Sequence, residues 1–208
     1  MTRLSASVAV ALLALGSCGN GDRGADLARA LDLGPDVGAI CGSSRILGTV
    51  PAPVEGRGGC GINAPVRVHA VGQVLLRPPA LVNCRTAEAL EQWQRQAAEP
   101  AAAAIGERLV ELQVAASYAC RRRNNRSTGR LSEHARGNAI DISAFRFADG
   151  DSATVTQDWR GSAYTPMLRQ MHSAACGPFG VVLGPDADRY HQNHFHFDVS
   201  HLNRPFCR

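Results

Sequence analysis

Cysteine placement constrains this chain more than any other feature of its sequence. Seven cysteines occur in 208 residues. The first, Cys18, closes an amino-terminal stretch that reads as an export signal, which leaves Cys41, Cys60, Cys84, Cys120, Cys176 and Cys207. An even set in an exported chain points to three disulfides, hence to a stapled fold in an oxidising compartment. Spacing does not choose among the many pairings that six cysteines allow. There is no Cys-x-x-Cys pair, so a thiolate zinc site is not expected.

The export reading rests on Arg3 followed by a short apolar run, SVAVALLAL, over residues 7–15. That run falls short of the roughly 20 helical residues needed to span a bilayer. It ends Leu15-Gly16-Ser17-Cys18, which resembles a bacterial lipobox with Cys18 as the lipidated residue. The plainer alternative is an ordinary signal cut near Gly16 or Ser17. Residues 1–18 are therefore expected to be a lipoprotein signal. Residues 19–58, rich in Gly and Pro, are expected to be a tether with one helical pattern at 25–33, partly docked if Cys41 is bridged. Residues 59–208 are expected to be the compact domain.

All 22 basic side chains are arginine, because the chain has no lysine. This excludes a Schiff-base lysine, a Ser-x-x-Lys acyl-enzyme and a P-loop lysine. With 45% apolar, 19% charged and only 5% aromatic residues, the chain reads as globular with small residues filling much of its core. A net charge of +4 gives no reason to expect nucleic acid as a partner. A monomer is expected.

Hydrophobic periodicity sketches the domain. Residues 66–71 and 74–75 read as a strand or hairpin start, which Pro78-Pro79 then break. A helix is predicted over 86–98, with Thr86 as N-cap and Ala89, Leu90, Trp93 and Ala97 on one face. Pro100 opens a second helix through 107. Strands are predicted over 109–118, 138–147, 181–183 and 194–199. A helix over 165–175 points Met167, Leu168, Met171 and Ala175 inward. This order predicts an α+β fold with a mostly antiparallel central sheet and flanking helices.

Two segments carry chemistry, Ser132-Glu133-His134-Ala135-Arg136-Gly137-Asn138-Ala139-Ile140-Asp141 and His191-Gln192-Asn193-His194-Phe195-His196-Phe197-Asp198. In a strand, period two puts His194, His196 and Asp198 on one face and Phe195, Phe197 and Val199 on the other. The aromatic face can bury while the polar face lines a cleft, where buried histidines need partners. Asp141 emerges from an otherwise apolar strand, seven residues after His134 and across a Gly137 that permits a tight turn. A histidine and an aspartate from the first segment, with a histidine from the second, make three N/O ligands. That set suits zinc with a fourth position open. His69, His172 and His201 have no partners by spacing and read as structural.

Ser-x-His-x-x-Gly-x-Ala-x-Asp followed by His-x-His resembles the zinc peptidases that group D-alanyl-D-alanine carboxypeptidases, penicillin-insensitive murein endopeptidases and the Hedgehog amino-terminal domain. A wider run resembles the bacterial extensin-like carboxy-terminal domain family. It includes Cys60-Gly61, Cys84, Trp93, Ser117-Tyr118-Ala119-Cys120-Arg121, Trp159, Ala175-Cys176 and Val182-Leu183-Gly184-Pro185. The resemblance implies a Hedgehog/D-Ala-D-Ala-peptidase-like fold. It also makes His134, Asp141 and His196 the zinc ligands, with His191 and His194 as further active-site histidines. Arg121 and Ser132 then fall where substrate would lie. The carboxypeptidases place a catalytic glutamate three residues before the last ligand. Here that residue is Asn193, so the general base would have to be His191 or His194.

The resulting expectation is zinc-dependent hydrolysis of amide bonds in peptidoglycan stem peptides, of D,D or L,D type and endo- or carboxypeptidase in mode. The protein would be lipid-anchored at the cell envelope, facing the periplasm. Asp198 would either orient a histidine or stand as a plain surface aspartate. Arg121, Arg122, Arg123, Arg126 and Arg130 would either meet stem-peptide carboxylates or form a solvated loop of ordinary positive charge. The rival expectations are a zinc-containing module that holds peptidoglycan or a partner without cleaving it, and a purely structural envelope lipoprotein.

Overall fold

The computed structural model describes residues 23–200 and 204–208. The signal reading, with Cys18, and His201 lie outside them. Among the described residues, twelve strands form between Gly38 and Cys207. The first six are β1 (Gly38–Ile40), β2 (Ser43–Thr49), β3 (Val54–Glu55), β4 (Gly61–Ile62), β5 (Pro65–Val71) and β6 (Val74–Asn83). They are followed by β7 (Leu109–Ala116), β8 (Ala139–Phe147), β9 (Ser152–Thr154), β10 (Val181–Leu183), β11 (Phe195–Asp198) and β12 (Phe206–Cys207). Ten of them make one sheet, ordered β1-β2-β5-β6-β7-β8-β11-β10-β12 with β9 on β8, while β3 and β4 pair separately. The architecture is α+β as expected, and the sheet is mixed, with seven antiparallel pairings and two parallel ones. β6 runs parallel to β7, and β10 runs parallel to β12. A helical stretch between β6 and β7 lets the chain return in the same direction, the crossover that parallel neighbours need.

The amino-terminal segment departs from the expected tether. From residue 23 onward it belongs to the domain. α1 (Arg23–Ala30) packs Ala28 into a small core with Val37, Leu47 and Ala70, and β2 pairs with β5. Ile46 and Leu47 are fully buried, which a solvated tether would not allow. A disulfide from Cys41 to Cys84 fixes this segment to the start of α2 (Cys84–Trp93). Cys60–Cys120 and Cys176–Cys207 complete three disulfides.

Pro78-Pro79 lie inside β6 rather than ending it. The β5–β6 register steps from Val68↔Ala80 to Ala70↔Leu75, so the prolines occupy a bulge where no ladder N–H is needed. The expected pair of helices after β6 is one continuous helical stretch. Asn83, not Thr86, is the N-cap: its Oδ1 accepts the Thr86 N–H at 2.9 Å. Past α2 the chain widens into a π turn, Gln94–Ala98, and continues as α3 (Glu99–Ala103). Pro100 has no N–H to give, and the Glu99 N–H bonding to Gln94 O places the wider turn directly before it.

The core lies under β8 and β11. Trp93, fully buried, donates its indole N–H to Met171 O at 2.8 Å and stacks edge-on to Phe197. α4 (Val155–Asp158) leads to Trp159, and α5 (Thr165–Ala174) buries Met167, Leu168 and Met171. Phe195 packs against Phe145, Trp159 and His172, and Phe197 against Phe179. These aromatic contacts hold one face of β11 in the core and so aim His196 and Asp198 the other way.

Candidate metal centre

β11 pairs with β8 in a register that sets His196 directly opposite Asp141. Paired residues share a sheet face, so both side chains project to the same side. His134 arrives from above, on a short 3₁₀ turn, Glu133–Arg136, that ends at Gly137. Gly137 adopts φ 67°, a left-handed conformation that turns the chain from this helical turn into β8. His134, Asp141 and His196 are thereby brought together, and one ligand-type atom of each lies within 4.8 Å of the others. Asp141 Oδ1 is 2.8 Å from His196 Nδ1 and 3.1 Å from His134 Nε2, and the two histidine nitrogens are 3.1 Å apart.

Hydrogen bonds on the far side of each ring decide which nitrogens face inward. The His134 Nδ1–H donates to Ser117 O at 2.6 Å. The His196 Nε2–H donates to Asp198 Oδ2 at 3.2 Å. The inward atoms are then His134 Nε2, His196 Nδ1 and a carboxylate oxygen, three electron-pair donors at close quarters. Only a cation relieves that arrangement, either a metal ion or a proton. The donor set therefore fits zinc, whose histidine ligands are fixed in this way by carboxylates and carbonyls. Without a metal the proton sits on His196. Burial alone would lower its pKa, but hydrogen bonds to Asp141 and Asp198 outweigh that and it is pushed up to about 9. Burial would likewise raise Asp141, yet His134 and His196 hold its carboxyl well below the usual carboxylate range. Asp198 is also lowered, since the bonds from His196 and Ser200 outweigh its burial.

The other expected residues line the same cleft, of about 420 Å³. His194 Nε2 lies 3.6 Å from Asp141 Oδ2, and its Nδ1–H donates to Asn193 Oδ1 at 2.8 Å. Its pKa is lowered, chiefly by burial; Asp141 opposes that effect, and His191, His196 and His134 reinforce it. His194 is thus a neutral imidazole with an unprotonated Nε2 beside the three inward atoms. His191 stands 5.3 Å from His194 and 5.6 Å from His196 between ring centroids. Ser132, buried, and Arg121, half-buried, are on the cleft wall. The arginine cluster divides: Arg121 and Arg123 reach this cleft, whereas Arg122 and Arg126 do not.

Two contributors escaped the sequence reading. Asp188 Oδ1 accepts the Nδ1–H of His191 at 2.8 Å, and the carbonyl of Ser117 orients His134. Asp188, three residues before His191, is a spacing that a helical or turn reading of 188–191 would have raised. A backbone carbonyl leaves no signature in a sequence. His172 is buried among Trp159 and Phe195, consistent with a structural role.

No curated protein and no solved structure matches the chain. Residues 42–208 match the family model described as Extensin-like protein C-terminus, and the chain belongs to that family.

Proposed function

We propose that the chain is a zinc-dependent amide hydrolase acting on peptidoglycan stem peptides at the cell envelope. The observation that carries this reading is the convergence of His134 Nε2, His196 Nδ1 and Asp141 Oδ1, with both rings fixed from behind. Zinc held there would polarise a scissile carbonyl and bring the pKa of water towards about 7. His194 Nε2, neutral and bordering the centre, accepts the proton of the attacking water. Asn193 serves here by holding the Nδ1–H of His194, which keeps Nε2 free as the basic atom. His191, its Nδ1–H held by Asp188, turns Nε2 towards the substrate carbonyl or the departing amine. Arg121 and Ser132 flank the path of the peptide.

Three disulfides suit an oxidising compartment. With residues 1–18 read as a lipoprotein signal, the lipid on Cys18 would anchor the protein facing the periplasm. No helix among the described residues is long and apolar enough to cross a membrane.

The test is digestion of purified muropeptides by zinc-loaded wild type, His134→Ala and His194→Ala. Cleavage by wild type alone supports hydrolysis, and intact muropeptides with zinc bound refute it. The second reading, a zinc-bearing module that holds peptidoglycan without cutting it, is favoured by Asn193 standing where a carboxylate base would be. It expects zinc and sacculus binding with no cleaved product.

A further inference from the structure

Two loops contribute to the wall of the metal cleft. One is a hairpin over residues 121–132, in which the Ser132 N–H donates to Arg121 O and the Arg123 N–H to Arg130 O, each at 3.0 Å. Cys120, immediately before it, is bridged to Cys60, so the hairpin is anchored at its base. The other loop carries Asp188, Tyr190 and His191.

Asn124 and Asn125 form the tip of the hairpin with φ 54° and 53°, and the Arg126 N–H closes the turn on Arg123 O at 3.3 Å. Two successive positive φ values are the pattern of a type I′ turn. Glycine would adopt it freely, whereas a side chain there has a steric cost that asparagine reduces but does not abolish. Both positions nevertheless carry an amide, and both line the cleft. Neither amide side chain has a hydrogen-bond partner among the described residues. The second loop adds Tyr190, which is 41% exposed and lines the same cleft. Arg189 lies over one face of its ring, 4.8 Å from the centroid, and donates to its hydroxyl at 2.7 Å. A ligand would stack on the other face.

The charges beside these groups are already engaged. Asp188 accepts the His191 Nδ1–H at 2.8 Å and the Tyr190 N–H at 2.7 Å. Arg123 stands 3.6 Å from Glu133, and Arg121 flanks the peptide path in the proposed reaction. Two neutral amides and an aromatic ring remain. They suit an uncharged ligand that offers hydroxyl and acetamido groups on one side and an apolar ring face on the other.

We propose that the Asn124–Asn125 turn and Tyr190 form a saccharide subsite beside the metal centre, taking an N-acetylated pyranose stacked on Tyr190. The proposal rests on the hydrolysis reading for the link between sugar and peptide, since the substrate is then a stem peptide still joined to its glycan. Binding of the sugar itself needs neither zinc nor turnover.

The test is an NMR titration of the full chain, in chelator, with N,N′-diacetylchitobiose and with cellobiose, which lacks the acetamido groups. Wild type binds the first with a Kd on the order of 1 mM and the second about tenfold more weakly. Tyr190→Ala weakens chitobiose binding about tenfold, as does Asn124→Gly with Asn125→Gly. Glycine keeps the turn, so the second loss reports the amides. Asp32→Gly, at φ 51° and outside the cleft, retains wild-type affinity. Equal affinities for the two sugars in wild type overturn the proposal, as does unchanged chitobiose binding in either cleft variant. If muropeptides stay intact while the chitobiose preference holds, the hydrolysis reading fails and the subsite stands. If muropeptides are cut and chitobiose causes no saturable shift, the subsite fails and hydrolysis stands.

Discussion

The Nε2–H of His196 donates to Asp198 Oδ2, two residues along the same strand, while Nδ1 of that ring lies 2.8 Å from Asp141. One histidine is thus clamped between two carboxylates, with its tautomer fixed by the outer one. Asp198 is expected to act on zinc through this ring alone. Replacing it with Asn keeps the shape and removes the charge, and zinc affinity should fall by roughly 10–100-fold. Competition with a fluorescent zinc chelator measures this. Unchanged affinity in Asp198→Asn would show that the clamp does not tune the metal.

Zinc that binds the folded chain and not the unfolded one must stabilise the fold by mass action. Addition of zinc to chelator-treated wild type should raise its Tm by several degrees, about 4 kcal/mol being available at a thousandfold excess over Kd. His134→Ala and His196→Ala should show little of that rise. A wild-type Tm indifferent to zinc would remove the metal centre, and with it the proposed chemistry.

What could be read from the sequence was local and periodic. The alternation His194-Phe195-His196-Phe197-Asp198 identified both the buried aromatic face and the polar face, because period two leaves few alternatives. The inward faces of α2 and α5 were legible for the same reason, with Leu90, Trp93, Met167 and Met171 all buried. Residues 38–49 were not legible as strands. Their short runs around Gly38, Gly42 and Gly48 have weak strand propensity, and pairing of β2 with β5 supplies what propensity lacks. β6 was hidden by Pro78-Pro79, which only a bulge makes tolerable. The partners of the site histidines, Ser117 O and Asp188, come from loops whose positions depend on the whole fold.

The amino-terminal strands depend on Cys41–Cys84, which closes a loop across a separation of 43 residues. Loop-closure entropy assigns such a bridge about 4 kcal/mol, with typical measured values of roughly 2–4 kcal/mol. Cys41→Ala with Cys84→Ala should lower stability by that range in urea titration. It should also raise amide exchange in β1 and β2 more than in β8 and β11. Uniform exchange throughout would mean that β2 is held by its ladder and core contacts alone.

His172 adds a pH dependence away from the metal centre. Its ring lies 5.4 Å from Trp159 and 5.1 Å from Phe195, with Asp186 and Arg169 as its charged neighbours. Burial pulls its pKa below the ordinary histidine value, against the opposing pull of Asp186. The unfolded chain therefore takes up a proton at higher pH than the folded one. Its stabilising contribution is complete above the unfolded value of 6.5 and is lost as pH falls below it towards the folded pKa. Melting curves from about pH 7.5 to about pH 5 should fall less steeply for His172→Gln than for wild type. Parallel slopes would show that His172 does not titrate differently on folding.

Gly137 joins the turn bearing His134 to the strand bearing Asp141, so its geometry sets the distance between two candidate ligands. Its carbonyl accepts the Asn83 N–H at 3.0 Å and the Thr86 hydroxyl at 2.8 Å. A Cβ here would stand 2.5 Å from Ile62 Cδ1 and 3.0 Å from Asn83 N, on a backbone of φ 67°. Gly137→Ala should therefore cost about 1–2 kcal/mol from backbone conformation alone. It should also weaken zinc binding, because relief of the backbone contact moves His134 relative to Asp141. Gly150, with φ 98° and nothing within 4 Å of an added Cβ, provides the comparison. Gly150→Ala shares the conformational strain without the crowding and should keep wild-type zinc affinity. Measured together, a loss of zinc affinity confined to Gly137→Ala assigns the effect to ligand spacing. A similar loss in both variants would assign it to general instability.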